Sequence, residues 1–359
     1  DRKKVMGSVK EYNRLLDEQA AIDTFRKLGT SMMADIQNHQ GGLPVRNFSA
    51  GQLIDTNVET FKLGGAFIRE QNLARGGETA HACMPGCTIE CSNIYVDSDG
   101  KEMCSPMEYE TLGLIGSNCG LKEPDDVARL NDVANDLGID TIEVGAMLGV
   151  LMEAGEGEFG DPEFMAAALE DIRLGNERGR LLAQGTARVG KHYDVKRIPV
   201  VKKQGISAYD PRVIEVTGIS MMVTAQGADH TTGNIPAFDC DGKSTEELVE
   251  ASLEIQTLCA AADSLGLCLF GRTVTNESID FVVEALNDAH GTNFSESKFM
   301  EIGREALEME WKFNKEAGFS DEDDELPDFF FNETLPPSGK KHRHTSEVVN
   351  KHLRTLIEA

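Results

Sequence analysis

The chain has 359 residues, with 35 Lys+Arg against 61 Asp+Glu and a net charge of −26; it is long enough for two or three domains of roughly 100–200 residues each. This acidity excludes holding nucleic acid or an anionic membrane surface by charge attraction, and no apolar run approaches the roughly 18 residues that a membrane-spanning helix needs. The opening Asp1-Arg2-Lys3-Lys4-Val5 is neither a signal peptide nor a start methionine, which predicts a cytoplasmic protein or a piece of a longer one.

Helical periodicity dominates the chain, beginning with about 8–34. A Gly/Pro-containing connection follows at 40–51. The next feature is chemical: Cys83, Cys87 and Cys91 are spaced C-x3-C-x3-C, and Pro85-Gly86 argues against a continuous helix through them. A loop entering a helical turn can point three thiolates at one centre. Such a triplet suits an iron–sulfur cluster, zinc, or three buried free thiols, and a fourth metal ligand has to come from elsewhere. Zinc lacks a second close ligand pair, so the spacing favours iron–sulfur. The radical enzymes that use S-adenosylmethionine carry a similar C-x3-C-x2-C triplet, but the last gap here is one residue longer. The alternation of strands and helices expected of their barrel is also missing. Without a secretory signal, the even count of eight cysteines does not call for disulfides.

Short strands are predicted at Ile94–Val96 and Val213–Ile214. The segment 124–137 reads as a firm helix: Pro124 and acids open it, Val127, Leu130, Val133, Ala134 and Leu137 share a face, and Gly138 stops it. Further helices are predicted over 141–154, 161–173, 176–189, 244–265, 276–289 and 295–316, with connections at 155–162, 204–212 and 226–242. The 204–212 segment divides a domain 1–205 from a domain 206–359. Near the C-terminus, the acidic run 320–325 reads as an exposed turn feeding an aromatic anchor at Phe329-Phe-Phe331. The tail from Pro336, with His342 and His344, reads as flexible and solvated.

A short repeat links the halves. Asn135-Asp-Leu-Gly-Ile-Asp140 and Asp263-Ser-Leu-Gly-Leu-Cys268 share one pattern at the ends of helical segments. Two ordinary helix C-caps would explain it. Alternatively, each copy presents a carboxylate or amide plus backbone groups to one half of a paired ligand, for which a pterin with adjacent N–H donors is suited. The second copy ends in Cys268, placed to be the missing fourth ligand.

These motifs, together with Gly41-Gly-Leu-Pro-Val-Arg-Asn-Phe48, Glu108-Tyr-Glu-Thr111, Gly116-Ser-Asn-Cys-Gly120, Tyr209-Asp-Pro-Arg212 and Gly227-Ala-Asp-His230, resemble the C-terminal two-thirds of the tungsten-containing aldehyde:ferredoxin oxidoreductase family. The resemblance implies a mostly α fold in which two helical domains with few short strands pack around a shared cofactor-facing surface. It implies a 4Fe–4S cluster on Cys83, Cys87, Cys91 and Cys268. It also implies a tungsten (or molybdenum) bis-pterin cradled by Asn135, Asp140 and Asp263, with Leu267, and Glu110 (Glu108 next) and His230 as acid/base groups. The implied reaction oxidises an aldehyde to a carboxylate and passes electrons through the cluster to ferredoxin or a similar acceptor. The family's N-terminal domain forms the other pterin wall and is missing from this sequence, so the bis-pterin is expected to be incomplete or absent in this chain. The triplet differs from the C-x2-C-x3-C of better-known members, and Thr231-Thr232 follow His230 where some relatives place a basic residue. A homodimer is a further possible partner state. The competing readings are a non-catalytic iron–sulfur electron-transfer module and a zinc-stabilised helical binding module. Ferredoxins are typically acidic, so a chain at −26 needs a local basic patch near Cys268, for which Arg272 and Lys101 are the candidates.

Overall fold

A computed structural model describes residues 2–358. It is mostly α, as expected, with the strands confined to short pieces. Helix Pro124–Leu137 forms as its sequence dictates: Pro124 occupies the first turn, Asp125 and Asp126 face the positive helix end, and Gly138 closes it at φ 69°. Helix Thr141–Glu153 starts on Asp140, whose carboxylate accepts from the Ile142 and Glu143 amides, and is buried continuously from Val144 to Met152. Helix Glu215–Val223 is buried at every position. Around these two central rods lie amphipathic helices; the long pair Thr245–Ser264 and Glu296–Ala317 packs together, and Thr245–Ser264 opens on a Ser244/Glu247 capping box.

Three departures from the predicted elements have local causes. The expected helix 8–34 is divided into Arg2–Asp17, Ala20–Leu28 and Met32–Gln40. The second break falls at Gly29, where φ is 64° and a Cβ would meet the Cys91 carbonyl oxygen at 2.9 Å. The expected helix 176–189 becomes Glu177–Leu182 and Thr186–His192, parted where the Glu143 carboxylate takes the Thr186 amide at 2.6 Å. Val213-Ile214 is no strand: both amides donate to the Asp210 carbonyl at 3.0 Å, forming the turn that leads into helix Glu215–Val223.

The main sheet is antiparallel in the order Glu78–His81, Ser92–Val96, Glu102–Cys104, and Val200–Val201 pairs with Gln204–Gly205 in a separate hairpin. The cysteine triplet therefore lies in a loop joining two strands rather than at the start of a helix.

Three of the sequence motifs interlock at the centre. Arg46, Asn47 and Phe48 take left-handed φ of 45°, 53° and 57° in succession, and the Arg46 and Asn47 amides donate to the Ser117 and Asn118 carbonyls. Arg212, 1% exposed, grips Asp210 through Nε and Nη2 at 2.9 and 2.6 Å, donates to the Phe48 carbonyl at 2.6 Å, and lies over the Phe330 ring. A buried guanidinium is tolerable only when it is neutralised and hydrogen-bonded, and Asp210 and the Phe48 carbonyl do both here.

This clamp also corrects the expectation for the tail. Residues 336–341 are exposed, but the tail is anchored rather than wholly solvated: the Gly51 amide donates to the Pro336 carbonyl at 2.7 Å, His342 is buried with its ring nitrogens against the Pro211 and His344 carbonyls, and Arg343 makes a two-point pair with Glu215. Helix Ser346–Glu358 then buries Val349 and Leu353. The aromatic anchor does form, with Phe329 and Phe330 buried, and the acidic turn before it places Asp324 beside Lys202 and Asn350. The stretch 204–212 is buried from Gly205 onward, and the largest core takes residues from both sides of it, among them Leu114, Met147, Met221 and Phe330.

Candidate functional site

Glu110 and His230, 120 residues apart in sequence, meet at the centre of the molecule. His230 Nε2 stands 3.3 Å from Glu110 Oε1, with the side chains 13% and 16% exposed. The other carboxylate oxygen, Oε2, accepts the Ala208 amide at 2.8 Å. Glu110 Oε1 and His230 Nδ1 are buried and neither has an aligned hydrogen-bond partner, so each retains capacity for a further proton or ligand. Burial raises the Glu110 carboxyl above its ordinary range; the charges of Asp140 and Asp229 push the same way, while His230 and the Ala208 amide oppose them. Asp229 Oδ1 is 3.8 Å from His230 Nδ1. Asp263, exposed at the end of its helix, is raised by desolvation and then by Asp229. Asp140 and Asp229 thus act on Glu110, and Asp229 acts on Asp263 as well.

Tyr209 completes this centre. Its ring lies 5.3 Å from that of His230 and 5.2 Å from that of Tyr109, and its phenol is raised by burial and by Glu110. The Tyr109 hydroxyl donates to the Ala208 carbonyl, so one residue, Ala208, is held from one side by Tyr109 and itself holds Glu110. Tyr209 and Asp229 belong to motifs that carried the resemblance, and their adjacency to the site was the available signal; neither was assigned a role from sequence. Glu108 is separate from this pair. It is largely buried, accepts from the Thr30 hydroxyl and acts electrostatically on Cys91.

The two repeat copies share one backbone device. At the first, the Gly138 amide donates to the Asn135 carbonyl and the Ile139 amide to Ala134; at the second, Gly266 donates to Asp263 and Leu267 to Ala262. Both glycines have φ 69°. Both copies then run into a new helical turn, opened by Asp140 in the first and Cys268 in the second. The C-cap explanation is correct as far as it goes, and it also exposes Asn135, Asp140, Asp263 and Cys268 at equivalent places. Leu267 instead packs into the small core around Val282 and Phe299.

The eight cysteines fall into two sets: Cys104, Cys119, Cys240 and Cys259 are buried, whereas Cys83 and Cys268 are exposed and Cys87 and Cys91 half-buried. The second set is one electrostatic group. Desolvation and then the Cys87 and Cys268 thiols raise Cys83, whose side chain also hydrogen-bonds Cys87. Burial, Glu108 and then Cys268, Cys83 and Cys87 push Cys91 up to about 12. Ile89 anchors the loop in a core with Leu16, Ile22 and Val274, where Cys87, Cys91 and Phe270 also pack. Among the described residues no three His, Cys, Asp or Glu side chains form a site for a single metal ion.

Arg272 is not the exposed basic patch expected of it. Half-buried, it donates to the Asn234 carbonyl at 2.6 Å and lowers the titration of both Tyr209 and Cys259. Four residues after Cys268, it turns inward towards Asn234, Tyr209 and Cys259. Lys101 is exposed, at the turn between strands Ser92–Val96 and Glu102–Cys104.

Residues 8–358 match the family model described as aldehyde ferredoxin oxidoreductase, domains 2 & 3. The tungsten-containing aldehyde ferredoxin oxidoreductase of Pyrococcus furiosus is 27% identical, over 96% of this chain and 59% of that protein. The protein of the same description from Thermococcus kodakarensis is also 27% identical, over 95% and 58%. An aliphatic sulfonate oxidoreductase, WOR-like subunit, of Pyrococcus furiosus is 29% identical over 63% of this chain. The chain therefore spans less than two thirds of the length of the aldehyde ferredoxin oxidoreductases it matches. Among solved structures, the active site complex BamBC of benzoyl coenzyme A reductase superposes with a TM-score of 0.73 at 13% identity, over 99% of this chain and 61% of that one, which is a likeness of fold.

Proposed function

Because this chain belongs to the aldehyde ferredoxin oxidoreductase family, we propose that it is the C-terminal catalytic portion of an oxidoreductase that holds a tungsten (or molybdenum) bis-pterin and a 4Fe–4S cluster, converts an aldehyde to a carboxylate, and passes the electrons to ferredoxin or a similar acceptor. The observation that carries the reading is the half-buried Glu110–His230 pair, which has open hydrogen-bonding capacity at Glu110 Oε1 and His230 Nδ1.

The residues present fit the groups implied. Asp140, Asp263 and Asn135 are exposed at two matched helix ends, where carboxylate and amide groups can accept the paired N–H donors of two pterins. Cys83, Cys87, Cys91 and Cys268 are the four thiols left accessible and would hold the cluster. When bound, these groups supply the two-electron oxidation and the one-electron relay.

The protein's own part is proton handling and orientation. Burial disfavours the charged form of Glu110, which moves a carboxylate towards the pH range in which it can both take and return a proton. Oε1 is the atom that would do so, since Oε2 is held by the Ala208 amide. His230, within 3.3 Å, can orient the substrate oxygen through Nε2 or share the proton, and Tyr209 fixes the plane of its ring. The relatives' greater length supports assigning the other cofactor wall to sequence beyond these 359 residues, so the reading expects the isolated chain to take up the cluster but no stoichiometric tungsten or molybdenum. Metal analysis and pterin extraction test this; a full complement of tungsten in the isolated chain would contradict it. In the full-length enzyme, Glu110→Gln should remove turnover while metal content stays intact, and undiminished turnover would take Glu110 out of the mechanism.

A further inference from the structure

Residues 224–244, which join helix Glu215–Val223 to helix Thr245–Ser264, form no helix or strand, yet they bring His230 to within 3.3 Å of Glu110. An irregular segment of this length is mobile unless it is tied down, and inside a compact chain it is kept for function. Around His230 the segment bonds to itself: the Asp229 carboxylate accepts the Thr231 amide and hydroxyl, and the Thr232 hydroxyl donates to the Asp229 carbonyl. These turns shape the segment without fixing it against Glu110.

The fixed point comes four residues after the histidine. Asn234 is 7% exposed and is held from three elements. Its carbonyl accepts from the Arg272 guanidinium at 2.6 Å, a charge-assisted bond. Its side-chain oxygen accepts from the Thr217 hydroxyl at 3.0 Å, on a helix that is buried at every position. Its side chain also hydrogen-bonds the Tyr209 phenol; with the oxygen taken by Thr217, the amide N–H is the group left for that bond. One residue earlier, the Gly233 carbonyl accepts from Ser220 of the same helix at 3.2 Å and the Gly233 amide donates to the His230 carbonyl at 3.2 Å. Tyr209, itself buried, sets its ring 5.3 Å from the imidazole. Asn234 therefore governs His230 twice, through the backbone that carries it and through the ring beside it.

We propose that Asn234 is a positioning residue for the Glu110–His230 pair, with Thr217 and Arg272 holding it in place and the Tyr209 ring passing its position on to the imidazole. The catalytic consequence rests on the function proposed above; the placement of the imidazole does not. An amide suits the position because it offers one acceptor and one donor from the same short side chain, whereas a carboxylate has no donor for the phenol and an aliphatic side chain has neither group.

The placement is read in the metal-free chain by nuclear magnetic resonance of its eight isotope-labelled histidines, with His230→Gln identifying the ring signal of His230. Asn234→Leu, which removes both side-chain bonds at similar volume, should displace that signal, as should Arg272→Met, while Arg272→Lys, which keeps a charged donor for the carbonyl, should lie closer to the parent. The signals of His342 and His344, buried against the Pro211 and Glu215 segment, should stay in place, because only a general loosening would move them too. In the full-length enzyme, assayed with acetaldehyde and benzyl viologen, Asn234→Leu should lower kcat by about ten- to hundredfold, the scale of a misplacement of about 1 Å. KM should change by less than about threefold, and the same substitution in a His230→Gln background should cost less than about threefold more. An unmoved His230 signal, joint movement of all three histidines, or a full additive loss in the double variant overturns the proposal. Undiminished turnover in both His230→Gln and Glu110→Gln, or a parent that oxidises no aldehyde, refutes the function proposed above, and the histidine spectrum still decides whether Asn234 places the imidazole.

Discussion

The two helix ends at Gly138 and Gly266 have the same backbone hydrogen bonds and the same φ, yet the residues that follow carry different chemistry. Asp140 accepts two amides from the turn it opens and contributes charge to the face of Glu110. Cys268 opens its turn without any side-chain cap and joins the thiol group of Cys83, Cys87 and Cys91. One end is therefore held by its own side chain, and the other leaves its thiol uncapped and exposed. A repeated cap can place two side chains alike while a single residue decides what chemistry each one offers.

Substitutions at matched positions can break that comparison. The largest expected effect is at the shared target of the acidic face: in the full-length enzyme Glu110→Gln should lower turnover by about 10²-fold or more, with iron content unchanged. Next, Cys268→Ala should lose the intact cluster from the loaded chain, whereas Asp140→Ala should keep it, as read by iron analysis and paramagnetic resonance; equal iron in both variants would erase the distinction. Gly138→Ala and Gly266→Ala should each cost about 1–2 kcal/mol, because both require a left-handed backbone and neither has a neighbour within 4 Å to add a steric difference. Unequal losses in denaturant unfolding would show that the two caps are not energetically equivalent. In the metal-free chain Asp140→Ala should cost about 1 kcal/mol for its lost cap, and Cys268→Ala less.

The pH dependence of stability adds a check on Glu110. Its folded-state value lies above the ordinary 4.5, so the native state binds the proton more tightly, and this group's contribution to stability falls as pH rises from about 4.5 through the raised value. Glu110→Gln removes that loss. Its unfolding free energy relative to the parent should improve between pH 5 and 8, by urea denaturation; a difference that does not change with pH would mean Glu110 ionises normally.

Much of this was legible in the sequence because it is local. Pro124 and Gly138 bound their helix as read, and the cysteine spacing and repeat announced themselves without tertiary information. What was not legible depends on pairings across the chain. The segment around His342 looks polar and solvated, and only the carbonyls of Pro211 and His344 make it a buried plug. Arg272 reads as surface charge until Asn234 receives it. Val213-Ile214 has β-branched residues, but the Asp210 carbonyl claims both amides for a turn. Tyr209 was visible as a motif member, and its closeness to His230 arises from a fold that no short window contains.

For the proposed function to hold, the four accessible thiols must act as one ligand set. Anaerobic loading of the chain with iron and sulfide, followed by iron analysis and electron paramagnetic resonance of the reduced form, tests it most directly. The expected result is roughly four irons per chain with a reducible cluster signal, lost as an intact cluster in Cys268→Ala but retained in Cys259→Ala, whose thiol is buried. Preferential uptake of one zinc, or an iron content and signal unchanged by Cys268→Ala, would contradict it.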